Sequence, residues 1–108
     1  MTGTQTSASA ITSNSMNKTY KLQISGKVQG VWFRASAKDK ALSLGLTGKI
    51  WNERDGNVGA IVQGPEEKIK SFIEWCKKGP PHAKVDNVFS QEISDESIYR
   101  GFEIVKKG

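Results

Sequence analysis

The chain has 108 residues, 36% of them hydrophobic and 25% charged, with 16 Lys+Arg against 11 Asp+Glu. That length suits one compact domain and argues against two. No apolar run approaches the ~20 residues of a membrane span. The lone cysteine, Cys76, excludes an intrachain disulfide and a cysteine-only metal site. It fits a reducing compartment, so the expected location is cytoplasmic.

Residues 1–15 hold eight Ser/Thr, no charge, and Ile11 as the only large aliphatic residue after Met1. Such a stretch buries too little apolar surface to offset its conformational entropy. It also lacks the basic and apolar regions of a secretory signal. Residues 1–18 are therefore read as a disordered leader and 19–108 as the domain, with Met16 a second candidate start. Every charge lies from Lys18 onward, so the domain carries the whole +5. A mild basic excess suits an anionic small molecule or nucleic acid, and it is also ordinary for small domains.

From Tyr20 the pattern becomes periodic. Tyr20, Leu22 and Ile24 alternate with Lys21, Gln23 and Ser25, which predicts a half-buried strand ending at Gly26. Phe33, Ala37, Ala41 and Leu44 recur at helical spacing, and Gly45 supplies a stop. A second strand is predicted from Leu46 to Asn52, then a tight primed turn at Asp55-Gly56 and a return strand from Asn57 to Gln63. Pro65, Glu66 and Glu67 suit a helix start. Ile69, Phe72, Ile73 and Cys76 form its apolar stripe, and Gly79 with Pro80-Pro81 ends it. Two strands follow, from about Val85 to Ile93 and from about Tyr99 to Val105. The order is strand, helix, strand, strand, helix, strand, strand. The expected fold is α+β, a ferredoxin-like split βαβ sandwich with two helices on one face of an antiparallel sheet.

That fold hosts many functions, so a site must decide. The connection Gly26-Lys27-Val28-Gln29-Gly30-Val31-Trp32-Phe33-Arg34 joins a strand end to a helix start. Backbone N–H groups there lack partners, Gly30 lets the chain curl, and the helix adds partial positive charge. Arg34 contributes a planar fork of donors that matches phosphate or carboxylate. Neither a Walker loop nor a dinucleotide fingerprint is present. A glycine turn followed by an exposed arginine is also an ordinary arrangement, and the local pattern leaves both readings open. Asn52 shares the parity of Leu46 and Ile50, the face the helices are expected to cover, where a buried amide needs partners. It also suits the start of a turn.

The run from Gly26 to Arg34 closely resembles the signature loop of the acylphosphatase family. Leu44-Gly45-Leu46-Thr47-Gly48, Asn52 with Asp55-Gly56-Asn57-Val58, Gln63-Gly64, Gly79-Pro80-Pro81 with Val85, and Gly101-Phe102-Glu103-Ile104 match as well. The resemblance spans roughly Tyr20 to Val105. Lys49 stands where members often carry an aromatic residue, and Glu53 where a threonine commonly follows the asparagine. Glu53 is thereby expected to set a negative charge beside the site.

The resemblance implies a ferredoxin-like fold and hydrolysis of the carboxyl–phosphate anhydride of acyl phosphates. It assigns phosphate binding to Arg34 and to the backbone N–H groups of Gln29, Gly30, Val31, Trp32, Phe33 and Arg34, and orientation of the attacking water to Asn52. An acyl phosphate has a weakly basic leaving group, so positioning and charge stabilisation suffice without a protein nucleophile. No metal, no cofactor and no covalent phosphoenzyme are expected. Phosphate or sulfate is expected to compete, and the chain is read as a monomer without nucleic-acid or membrane partners.

The remaining reactive-looking residues are read as structural. Cys76 completes a core stripe, His82 is a surface residue, Asp55 serves the turn, and Trp75 borders the core. Trp32 and Trp51 are read as packing residues, although both stand near the presumed site. An RNA reader on the same fold would stack bases on aromatics of a central strand, and Asn57 to Gln63 holds none. A regulatory domain that kept the loop without turnover is the other rival. Presence of both Arg34 and Asn52 speaks against it.

Overall fold

The computed structural model describes residues 17–94 and 97–106. In chain order the elements are β1 (Asn17–Lys27), α1 (Phe33–Ser43), β2 (Thr47–Asn52), β3 (Val58–Pro65), α2 (Glu66–Lys78), β4 (Lys84–Glu92) and β5 (Phe102–Ile104). The strands form one sheet in the order β4-β1-β3-β2-β5. β1 lies antiparallel to both β3 and β4, and β2 lies antiparallel to β3. These four strands and two helices are the split βαβ arrangement expected from the element order.

Alternation along each strand decides which side chains meet the helices. Leu22 pairs with Ala60 and Ala60 with Ile50; Ile24 pairs with Val58 and Val58 with Asn52. Leu22, Ile24, Ile50, Val58, Ala60 and Val62 are fully buried on that face. α1 meets it through Phe33, Ala37 and Ala41, where two alanines let the helix sit close. α2 uses Ile69, Phe72 and Cys76, with Ile73 half-buried, the stripe its spacing predicts. Desolvation drives the Cys76 thiol pKa far up, so this residue packs as a small hydrophobe. His82 is exposed and Trp75 half-buried, stacked near Phe72 and tilted against Phe33.

The structure departs from the expectation in several places. β1 takes in Asn17 and Lys18, which the sequence assigns to the leader. They pair with Pro65 and Gly64, and Lys18 reaches Glu92 at 3.2 Å. The rest of the expected leader, residues 1–16, lies outside the described residues.

The β2–β3 connection is a three-residue loop, Arg54-Asp55-Gly56, rather than a two-residue primed turn at Asp55-Gly56. The Glu53 N–H donates to the Asn57 carbonyl at 2.8 Å and the Gly56 N–H to the Glu53 carbonyl at 3.3 Å. Only Gly56 has positive φ, at 96°, which fits a type I turn closed by a left-handed glycine. Asp55 serves the turn by accepting the Asn57 N–H at 3.0 Å.

The last strand starts at Phe102, not Tyr99, and the sheet is mixed because β5 runs parallel to β2. β4 and β5 occupy opposite edges, so the chain crosses the whole sheet between them. Gln63 holds this crossing. Its Nε2 donates to the Ser97 carbonyl at 2.8 Å and its Oε1 accepts the Tyr99 N–H at 3.2 Å. With Gly48 opposite Phe102, Tyr99 would fall opposite Gly45, ahead of the first residue of β2, so an earlier start has no strand to pair with.

Finally, Trp32 is not packed: it is 76% exposed. Trp51 is packed, but on the sheet face away from the helices. Its ring lies over Gly59, its Nε1 donates to Glu53 at 2.9 Å, and Lys49 stands 5.8 Å from the ring centroid.

Candidate active site

The segment between β1 and α1 is pinned from below and open above. Val28, Val31 and Phe33 are buried, whereas Gly30 and Trp32 are exposed. This alternation fastens the loop to the core by its apolar side chains and turns its backbone outward. Gly30 has φ 74° with open space around it, so its requirement is conformational and not steric. Trp32, the residue before α1, also adopts the left-handed region, at φ 67° and ψ 17°. Two left-handed residues so close together curl the chain into a concave anion-binding shape.

That curl leaves its donors free. Among the described residues, the backbone N–H groups from Gln29 to Ala35 meet no acceptor. The first such bond of α1 runs from the Ser36 N–H to the Trp32 carbonyl at 3.0 Å. Trp32 offers no side-chain cap, and the first turn of α1 has no acidic residue to occupy the positive end. Arg34 sits within this turn, half-buried, and forms no hydrogen bond or ion pair with a described residue. Unpaired N–H groups, a helix N-terminus and an uncommitted guanidinium therefore share one loop. Such a set attracts an anion of phosphate size.

Asn52 is the last residue of β2 and lies on the helix-facing parity, next to Val58 and in line with Ile24. Its Oδ1 is buried without a hydrogen-bond donor among the described residues. A buried acceptor left unpaired is costly, so such atoms call for an explanation. Arg34 and Gly30 line a cavity of about 410 Å³. Asn52 also borders a depression of about 540 Å³ lined by Lys21, Trp51, Glu53, Arg54, Asp55 and Lys106. Lys21 and Trp51 have the parity opposite to Leu22 and Ile50, so it opens on the sheet face away from the helices.

The two halves are joined by Gln29. Its Nε2 donates to the carbonyls of Glu53 at 2.7 Å and Asn57 at 2.8 Å, at the neck of the hairpin that carries Asn52. The sequence reading assigned Gln29 through its backbone alone and missed this brace, which spans 24 and 28 residues of chain. Gln29→Leu keeps the volume but deletes both donors. It is expected to lower stability by about 1–3 kcal/mol and the thermal midpoint by several degrees, read by thermal denaturation. Hydrolytic activity should fall with it, because the hairpin loses its tie to the loop.

Glu53 does not put its charge where the sequence suggested. One residue beyond Asn52, it has the opposite parity, and its carboxylate engages Trp51 on the open face. Among the described residues, no group of three or more His, Cys, Asp or Glu side chains is placed to hold a metal ion. No helix among them is long and apolar enough to cross a membrane.

Comparison with known proteins agrees with this geometry. The Acylphosphatase family model matches residues 20–104. The chain is 48% identical over 86 residues to an acylphosphatase of Thiobacillus denitrificans, covering 80% of this chain and 94% of that protein. Its fold superposes on the structure of an acylphosphatase from Coxiella burnetii with a TM-score of 0.81 at 38% identity, covering 86% of this chain and 97% of the other. Against the acylphosphatase from Bacillus subtilis the TM-score is 0.79 at 34% identity, with 83% and 99% covered. A long signature loop, a matching fold and near-full coverage of these relatives place the chain in the acylphosphatase family.

Proposed function

We propose that Arg34, the backbone N–H groups from Gln29 to Arg34, and Asn52 together carry out the acyl phosphate hydrolysis expected of an acylphosphatase. The observation that carries these roles is the run of unpaired N–H groups ending at Arg34. The phosphoryl group sits in the curl, its equatorial oxygens accepting from the loop amides and from the guanidinium fork. Asn52 accepts a hydrogen bond from water through Oδ1, the atom the fold leaves unpaired. That fixes the water with a lone pair toward phosphorus.

The water oxygen then forms a bond to phosphorus while the bond to the acyl oxygen breaks. The electron pair leaves with the carboxylate, and the water proton passes to a phosphoryl oxygen of the substrate. Products are a carboxylate and inorganic phosphate. The leaving group is a weak base, so the protein is asked for positioning and charge balance rather than acid catalysis. The reading needs no cofactor or metal, and it takes the protein to act as a cytoplasmic monomer. Cys76, buried as a free thiol, suits a reducing compartment.

Turnover of benzoyl phosphate, with and without chelator, tests the proposal. Hydrolysis is expected to be unchanged by chelator and inhibited competitively by phosphate or sulfate. Absence of turnover would favour a domain that kept the anion loop for regulation. Loss of turnover on chelation would show that Arg34 and the amides do not balance the phosphoryl charge alone.

A further inference from the structure

The phosphate cradle shares its cavity with an apolar wall that phosphate does not need. Trp32 is 76% exposed and Ile104, the last residue of β5, is 41% exposed. Both line the 410 Å³ cavity that Gly30 and Arg34 also border, with Ala35 beside them. Exposure of a tryptophan on a loop whose neighbours Val31 and Phe33 are buried is set by the backbone. The left-handed conformation at Trp32 swings its side chain out of the core while its N–H stays with the loop. A cavity of this size exceeds what a phosphoryl group occupies and falls in the range of small-molecule sites.

An acyl phosphate carries its acyl carbon one bridging oxygen away from phosphorus. A phosphoryl group held by Gly30 and Arg34 must therefore place the acyl substituent close to the cradle. Two depressions adjoin the site residues, and they differ in character. The one at Asn52 is lined by Lys21, Trp51 and Glu53 as well as Arg54, Asp55 and Lys106, and the parity of Lys21 and Trp51 puts it on the sheet face away from the helices. The one at Arg34 offers the Trp32 ring and the Ile104 side chain.

We propose that Trp32 and Ile104 form the acyl subsite, which selects substrates with an aromatic or bulky apolar acyl group over acetyl phosphate. The assignment rests on the phosphate cradle described above. Stacking on the Trp32 face and contact with Ile104 add binding to the apolar acyl group and little to a methyl. Trp32 and Ile104 are thus specificity-determining residues.

The test is the ratio of kcat/KM for benzoyl phosphate to that for acetyl phosphate. Trp32→Asn removes the ring and keeps a residue type that tolerates the left-handed backbone. Ile104→Thr keeps a β-branched strand residue and removes apolar surface. Wild type is expected to prefer benzoyl phosphate, with the ratio falling about fivefold in Trp32→Asn and about twofold in Ile104→Thr, the scale of one aromatic and one aliphatic contact. A ratio unchanged in both variants, with turnover of both substrates retained, would overturn the acyl subsite and leave the hydrolytic reading intact. Failure of wild type to hydrolyse either substrate would instead overturn that reading and the subsite with it.

Discussion

Arg34→Lys is expected to fold like wild type and to lose about 10²-fold or more in kcat/KM for benzoyl phosphate, the scale for removing one preorganised donor from a charge-stabilising site. Arg34 makes no hydrogen bond or ion pair with a described residue, so shortening it breaks nothing that holds α1 in place. Its thermal midpoint should stay near that of wild type. Lysine keeps the positive charge but presents a flexible point donor, whereas phosphoryl oxygens are matched by a planar fork that donates twice. Inorganic phosphate should also inhibit the variant more weakly, measured as a higher inhibition constant. Near-normal turnover in Arg34→Lys would remove the guanidinium from the mechanism.

What could be read from the sequence was whatever depends on local period. The α2 stripe from Ile69 to Cys76 points inward as its spacing required. The parity of Asn52 places it on the helix-facing side, in line with Val58 and Ile24. The loop from Gly26 to Arg34 was legible too, because glycine spacing and a strand-to-helix junction dictate where backbone donors go. Its likeness to a known signature then supplied the roles. Where two local solutions share one sequence, local pattern does not choose between them. Asp55-Gly56 satisfies a primed turn, but Asp55 and Gly56 serve equally in a three-residue loop that needs a left-handed glycine at its end.

What could not be read depends on contacts between distant parts of the chain. Gln63 takes the Tyr99 N–H across 36 residues and anchors the segment before β5. The parallel pairing of β5 with β2 depends on that crossing. Gln29 reaches the hairpin in the same way, and no local pattern distinguishes a bracing glutamine from a solvated one. Trp32 reads from the sequence as a packing residue close to the presumed site, and the structure exposes it instead. A left-handed backbone at a tryptophan is uncommon and costs on the order of 1 kcal/mol, so no sequence rule places one there. Glu53 shows the converse. Period-two alternation was sufficient to send its carboxylate to the open face, had the parity been followed one residue past Asn52.

Asn52→Ala provides the sharpest separation of binding from chemistry. The substitution deletes Oδ1, a buried acceptor that no described group satisfies, so the folded state loses an uncompensated polar atom and little else. Stability is expected to hold within about 1 kcal/mol of wild type. The N–H groups from Gln29 to Arg34 and the Arg34 fork are untouched, so inorganic phosphate should inhibit the variant as it does wild type. Turnover at saturating benzoyl phosphate should nevertheless fall at least ~10²-fold, since the attacking water loses the side chain proposed to orient it. The opposite pattern, phosphate inhibition lost while saturated turnover persists, would make Asn52 a binding or structural residue and end its water-orienting role. Because Gln29 ties the hairpin to the loop through the Glu53 and Asn57 carbonyls, and not through Asn52, the brace survives in this variant. A fall in turnover with phosphate inhibition unchanged therefore reports on the water and not on the geometry of the cradle.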